Sequence, residues 1–192
     1  RKTLFALALN KDDSPAADLT RDDWRLMEDG VDRLVTDVKI ATEPIDMTLV
    51  VDTSLGAQAS LGLLRNALMS FTHRVFSGNP GATISVFDVG NAAIRVADRV
   101  KAADDLDKIL KRTATDRSLA AVVLEGMTDA ARKLSESPSP RRAIVIVGLD
   151  GTPDASSSKE QQRVIDQVAL SRASVWAVKY RTDATRSVGS MQ

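Results

Sequence analysis

The stretch Ile45-Asp46-Met47-Thr48-Leu49-Val50-Val51-Asp52-Thr53-Ser54-Leu55-Gly56 decides how this chain is read. Met47 to Val51 is apolar apart from Thr48 and has the length and composition of a buried strand. A carboxylate, two hydroxyl residues and a glycine follow it. Open parallel sheets bind ligands beyond the carboxyl ends of their strands, so Asp52 and Ser54 are expected at a sheet's upper rim with oxygens pointing outward. Oxygen-only donors suit a hard cation such as Mg2+. A competing reading is capping, in which Asp52 and Ser54 bond to free N–H groups of the helix that follows.

Outward from this strand, the chain alternates strands and helices, which predicts βα units and a mostly parallel sheet. Leu61, Leu64, Leu68 and Phe71 recur at helical spacing. Thr83 to Val89 and Ala93 to Val100 read as strands of an antiparallel hairpin turning at Gly90-Asn91. Leu106, Ile109 and Leu110 mark a short helix, and Leu119, Val122, Val123, Met127, Ala130 and Leu134 a longer one. Ala143 to Val147 predicts a second central strand, ending before Gly148-Leu149-Asp150-Gly151. Val164, Ile165, Val168 and Ala169 form a helix face, for which Ser156-Ser157-Ser158 is the expected cap, and Ser174 to Tyr180 is the last strand. Towards the N-terminus, Leu4 to Leu9 reads as a strand and Thr20 with Asp23 as a capping box over one helical turn. Asp29-Gly30 joins Arg25–Glu28 to Val31–Ile40 as a hairpin, with Leu34, Thr36, Val38 and Ile40 alternating. Trp24 and Trp176 are expected to be packing residues. The division is thus residues 1–44, a β extension, and residues 45–192, an α/β domain.

Composition narrows the function classes. In 192 residues, 43% hydrophobic and 27% charged, Lys plus Arg and Asp plus Glu balance at 26 each, so no global field attracts nucleic acid or an anionic membrane. Cysteine is absent, which removes disulfides, thiolate nucleophiles and cysteine-ligated metals. His73 is the only histidine, so catalytic triads and histidine-rich zinc sites lack parts, and a surface or capping role is expected for it. No apolar run reaches the roughly 20 residues that span a bilayer. The chain opens at Arg1 rather than methionine, which fits a trimmed upstream segment, either a signal peptide or a chosen boundary.

Asp52-Thr53-Ser54 after one strand, a helix opening near Ser118, and Leu149-Asp150-Gly151 after a later strand follow the order of the three metal-site loops of von Willebrand factor A domains. Leu19-Thr20-Arg21-Asp22-Asp23-Trp24 with Glu28-Asp29-Gly30 resembles the "LTxxDFxVxEDG" prelude of bacterial von Willebrand factor A-related proteins. The resemblance covers about residues 3 to 180. It implies a doubly wound α/β fold, a mostly parallel sheet with helices on both faces, preceded by strands like part of an immunoglobulin-like sandwich. It also implies a metal-ion-dependent adhesion site. Ser54 is then a direct ligand to Mg2+, or to Mn2+ or Ca2+, with Asp52 and Asp150 binding directly or through water and Ser118 matching the family's threonine. The chain departs from the DxSxS pattern at Gly56, and Asp116-Arg117 replaces the usual Gly-Gly before Ser118, leaving Thr115 as a competing match. The family fold has a further helix and strand after the position of Tyr180, where Arg181 to Gln192 is short and polar.

The expected function is therefore a non-enzymatic protein-binding or adhesion module outside the cytoplasm, taking an Asp or Glu of a protein partner. A metal-free interaction scaffold is the alternative. A Rossmann-like hydrolase using Asp52 or Asp150 stands behind both, because the chain shows no acid/base partner for either aspartate. Asp150-Gly151-Thr152 resembles the DxDGT loop of haloacid dehalogenase-like phosphatases, but Gly148 stands where the paired aspartate belongs.

Overall fold

A computed structural model of the chain describes residues 2–12, 14–16 and 18–181. They divide between Thr42 and Glu43 into two compact units.

In the first unit, Thr20 N–H donates to Asp23 Oδ2 at 2.7 Å and closes the expected capping box over the single turn Arg21–Asp23. Strands β1 (Leu26–Glu28) and β2 (Val31–Arg33) pair antiparallel across Asp29 and Gly30, whose φ angles of 53° and 76° both lie in the left-handed region that a two-residue hairpin turn requires. The second strand stops at Arg33 rather than Ile40. Alternation holds a strand only where a partner lies opposite, and β1 offers three residues; Leu34 and Ile40 are 84% and 77% exposed. Leu4 to Leu9 forms no strand either, contributing only the bridge between Leu9 and Pro15.

The second unit is built on a five-stranded sheet of order β5-β4-β3-β6-β7. Strand β3 (Ile45–Asp52) lies at its centre, parallel to β4 (Thr83–Val89) and β6 (Arg141–Leu149). Strand β7 (Ser174–Tyr180) extends the parallel set beyond β6, and β5 (Ala93–Val100) is the antiparallel edge on the other side. Helix α1 (Leu61–Gly78) and helix α2 (Ala103–Leu110) cover one face, where Leu64, Leu68, Leu106 and Leu110 pack on Met47, Leu49, Val51, Ile84 and Val86. Helices α3 (Val123–Ser135) and α4 (Glu160–Ser171) cover the other, with Ala130, Ala131 and Leu134 of α3 on Val50, Phe87 and Ile144. The doubly wound α/β architecture is as expected. Because the chain leaves β3 for β4 on one side and later returns to β6 on the other, the winding reverses beside β3, and the carboxyl ends of β3 and β6 frame the crevice.

Three details of the helices differ from their apolar patterns. The buried stripe of α1 runs through Leu64, Leu68 and Thr72, while Phe71 is 38% exposed. Helix α3 opens at Val123, so Leu119 and Ser118 belong to the preceding loop, and Leu119 is 77% exposed. Trp176 is not a core residue: it lies on the edge strand β7, 45% exposed, its indole N–H donating to Ser174 Oγ at 3.2 Å.

Candidate functional site

Three loops meet above β3 and β6, and backbone hydrogen bonds tie them together. Thr53 N–H donates to Val89 O at 2.9 Å, Asp116 N–H to Thr53 O at 2.9 Å, and Leu55 N–H to Ser118 O at 2.8 Å. The third loop joins through Ala121 N–H to Pro153 O at 3.0 Å and Ala155 N–H to Ala121 O at 2.9 Å. Buried peptide groups need such partners, and here the partners come from different loops, which fixes their relative height.

Asp52, 2% exposed, accepts from Ser54 N–H at 2.9 Å through Oδ1 and from Leu149 N–H at 3.3 Å through Oδ2. Its carboxylate therefore ties the end of β3 to the end of β6. Ser54 is fully buried, yet its Oγ has no hydrogen-bond partner, so it does not cap the segment that follows. Thr152 Oγ1 is likewise buried and unpartnered. A Cβ built on Gly56 would lie 3.9 Å from each of these two hydroxyl oxygens, which places all three positions around one point. Unsatisfied buried hydroxyls are unfavourable, and a ligand or cation that reached either would relieve that cost.

The other expected ligands are differently engaged. Asp150 is held by Arg181 Nε at 2.7 Å and by Lys179 Nζ at 4.0 Å, and the Arg181 hydrogen bond draws its carboxyl below the usual carboxylate range. Ser118 Oγ donates to Ala120 O at 2.6 Å and accepts from Ala120 N–H at 3.3 Å. Asp116, one of the two residues in place of the family's Gly-Gly, holds the second loop shut: Oδ1 accepts from Ser118 N–H at 2.7 Å and Oδ2 from Asn91 N–H at 2.5 Å. Position 90 must be glycine for this, because a Cβ there would meet Asp116 Oδ2 at 1.9 Å. The serine run also acts elsewhere than expected. Ser156 Oγ accepts from Leu124 N–H at 3.1 Å, and Asp154 Oδ1 from Val123 N–H at 3.2 Å, so the third loop caps α3 rather than α4. Local spacing pointed to the next helix in the chain, whereas the side-chain hydrogen bonds go to the α3 N-terminus and only the Ser157 carbonyl serves α4, accepting from Glu160 N–H at 2.9 Å.

The rim thus offers hard oxygen donors in the Ser54 and Thr152 hydroxyls, while both Asp52 oxygens accept backbone amides and Asp150 is paired with Arg181. Thr152 was not among the residues expected at the rim. Its signal is in the sequence all the same: Asp150-Gly151-Thr152 repeats the Asp-x-hydroxyl spacing of Asp52-Thr53-Ser54.

No family model matches the sequence, and no curated protein matches it. Solved structures do. The von Willebrand factor type A protein of Catenulispora acidiphila superposes with a TM-score of 0.56 over 72% of this chain, at 15% identity. The fold is a von Willebrand factor A fold. The von Willebrand factor domain of the type V pili tip protein Mfa5 from Porphyromonas gingivalis is similar over 56% of the chain, at 16% identity and a TM-score of 0.51. The N-terminal domain of TFIIH p34 matches over 77%, at 13% identity and a TM-score of 0.57. This chain covers 38% of the Mfa5 structure, 33% of the Catenulispora one and 86% of the p34 domain. At such identities the likeness concerns the von Willebrand factor A fold alone, and function has to be argued from the site.

Proposed function

We propose that this chain is a non-enzymatic protein-binding module whose A-domain rim holds a divalent cation, Mg2+ or Mn2+, and through it a carboxylate of a protein partner. The observation that carries the proposal is the fully buried Ser54 Oγ without a hydrogen-bond partner, at the carboxyl end of the central strand, with the equally unpartnered Thr152 Oγ1 on the other loop beside Gly56. Ser54 and Thr152 are the hydroxyl ligands in this reading. Asp52 supplies negative charge while bonding the two strand ends together, and Asp150 joins when Arg181 swings aside. When bound, the cation offers a coordination position for a partner's Asp or Glu. The fold likeness to a domain of a pilus tip protein supports adhesion outside the cytoplasm, and among the described residues no helix is long and apolar enough to cross a membrane.

A metal-free binding module is the second reading, favoured by the Asp150–Arg181 pair and by the missing hydroxyl at Gly56. Calorimetric titration of Mg2+ and Mn2+ into chelator-stripped protein separates the two. Ser54→Ala is the appropriate control, because Asp52 also bonds two backbone amides and its loss would loosen the rim itself. Saturable heat that disappears in Ser54→Ala supports the cation; absence of heat with both ions leaves the metal-free module.

A further inference from the structure

A second place in the molecule gathers metal-binding groups, on the helical face of α1 and α2 rather than at the rim. His73 of α1 and Asp104 and Asp107 of α2 bring one ligand atom each within 4.8 Å of one another. His73 Nε2 lies 3.0 Å from Asp107 Oδ2, with the His73 side chain 47% and that of Asp107 18% exposed. Asp104 and Asp107 are three apart on α2 and so share a face, and the pairing of α1 with α2 brings the one histidine of the chain to that face.

A histidine–aspartate hydrogen bond accounts for two of these groups. It does not use Asp104, whose carboxylate reaches the same point from the first turn of α2, where the helix N-terminus favours an acid. It also leaves Asp107 Oδ1, which is buried and has no hydrogen-bond partner. The neighbouring ammonium of Lys108 does not supply a countercharge to Asp107, since it is bonded to Asp105 Oδ1 at 2.8 Å. We propose that His73, Asp104 and Asp107 form a binding site for a first-row divalent transition ion, zinc above all, with a remaining coordination position open to solvent. One imidazole nitrogen with two carboxylates selects against Mg2+ and Ca2+, which prefer all-oxygen shells. Two ligand atoms on one tetrahedral zinc stand about 3.4 Å apart, so the His73–Asp107 spacing is already near that value and small side-chain rotations bring in Asp104. Three protein ligands and an open position would let the ion join α1 to α2 and accept one further donor.

The test is a calorimetric titration of Zn2+ into the chelator-stripped 192-residue chain, with melting temperature followed in parallel. The expected result is a saturable zinc site whose occupancy raises the melting temperature, weakened at least about tenfold in both His73→Ala and Asp104→Asn and retained in Ser54→Ala, which removes only binding at the rim. Asp104→Asn is the decisive variant. The residue is exposed and outside the His73–Asp107 hydrogen bond, so its substitution leaves the fold and that bond in place. Zinc binding equal to wild type in Asp104→Asn, or heat that never saturates, overturns the site and leaves an ordinary surface histidine. Loss of zinc binding in Ser54→Ala with retention in Asp104→Asn also overturns it, by placing the ion at the rim.

Discussion

Gly56 is the residue at which this rim departs from the family's hydroxyl pattern, and its surroundings say what a side chain would do. A serine Cβ there would lie 3.1 Å from Leu149 Cδ2, a contact relieved by a shift of a few tenths of an ångström in one flexible side chain. Gly56→Ser should therefore cost no more than about 1 kcal/mol of stability and, by adding a third hydroxyl beside Ser54 and Thr152, tighten Mg2+ or Mn2+ about tenfold, equivalent to about 1.4 kcal/mol. Calorimetry of the variant checks this, and an affinity unchanged in a folded variant would show that position 56 does not reach the cation. Asp88, on β4, carries the other residue-scale prediction. It lines a small cavity with Val96, Ile109, Arg112 and Thr113; its Oδ1 is unpartnered, and burial pushes its carboxyl up to about 6 from 3.8. Because the folded chain holds this proton more tightly than the unfolded one, the penalty is absent below about pH 4, grows as pH rises towards 6, and is complete above it. Asp88→Asn should thus raise stability at pH 7.5 by at most about 3 kcal/mol and change it little near pH 4. Thermal melts at the two pH values test this, and an equal gain at both would show that the effect is not proton-linked.

At the scale of elements, helix α3 is held from outside itself. Its N-cap is Val122, which has no capping side chain, and its first free N–H groups are met by Asp154 and Ser156 of the third rim loop. Ser156→Ala should cost about 1 kcal/mol and speed amide exchange in the first turn of α3 while leaving α4 unchanged, which hydrogen-exchange measurements resolve. If α4 were the element that loosened, the capping assignment would be wrong. The middle of α3 shows the opposite balance. Alanine normally stabilises a helix interior relative to glycine by up to about 1 kcal/mol. At Gly126, however, a Cβ would meet Val89 Cγ1 at 2.5 Å and Val50 Cγ1 at 3.1 Å. Gly126→Ala should therefore destabilise by about 1–3 kcal/mol in chemical denaturation, because helix and sheet must separate to admit the methyl group.

For the molecule as a whole, the segment after β2 is the place to look for a boundary. Leu34 and Ile40 are highly exposed and β2 ends at Arg33, whereas the sheet unit begins at Glu43. Limited trypsin digestion should cut at Lys39 before any site within the five-stranded sheet, leaving a fragment that still melts cooperatively; early cuts at Arg95 or Arg99 of β5, or at Arg142 of β6, would refute the division. Much of this organisation could be read from residues alone. The buried run Met47 to Val51, the apolar run Ala143 to Val147 and the turn residues Asp29-Gly30 announce their elements because periodicity and left-handed φ are local properties of the chain. The sequence also determined that Asp52 and Ser54 stand at a strand's carboxyl end. Tertiary structure alone decided the rest: that Thr152 and Ser54 both lie beside Gly56, that Arg181 engages Asp150, that Ser156 caps α3 rather than α4, and that Asp104 and Asp107 meet His73. Each of those pairs joins residues about 30 to 100 positions apart, or lies between elements whose approach is set by how the sheet winds, and no local pattern carries that distance.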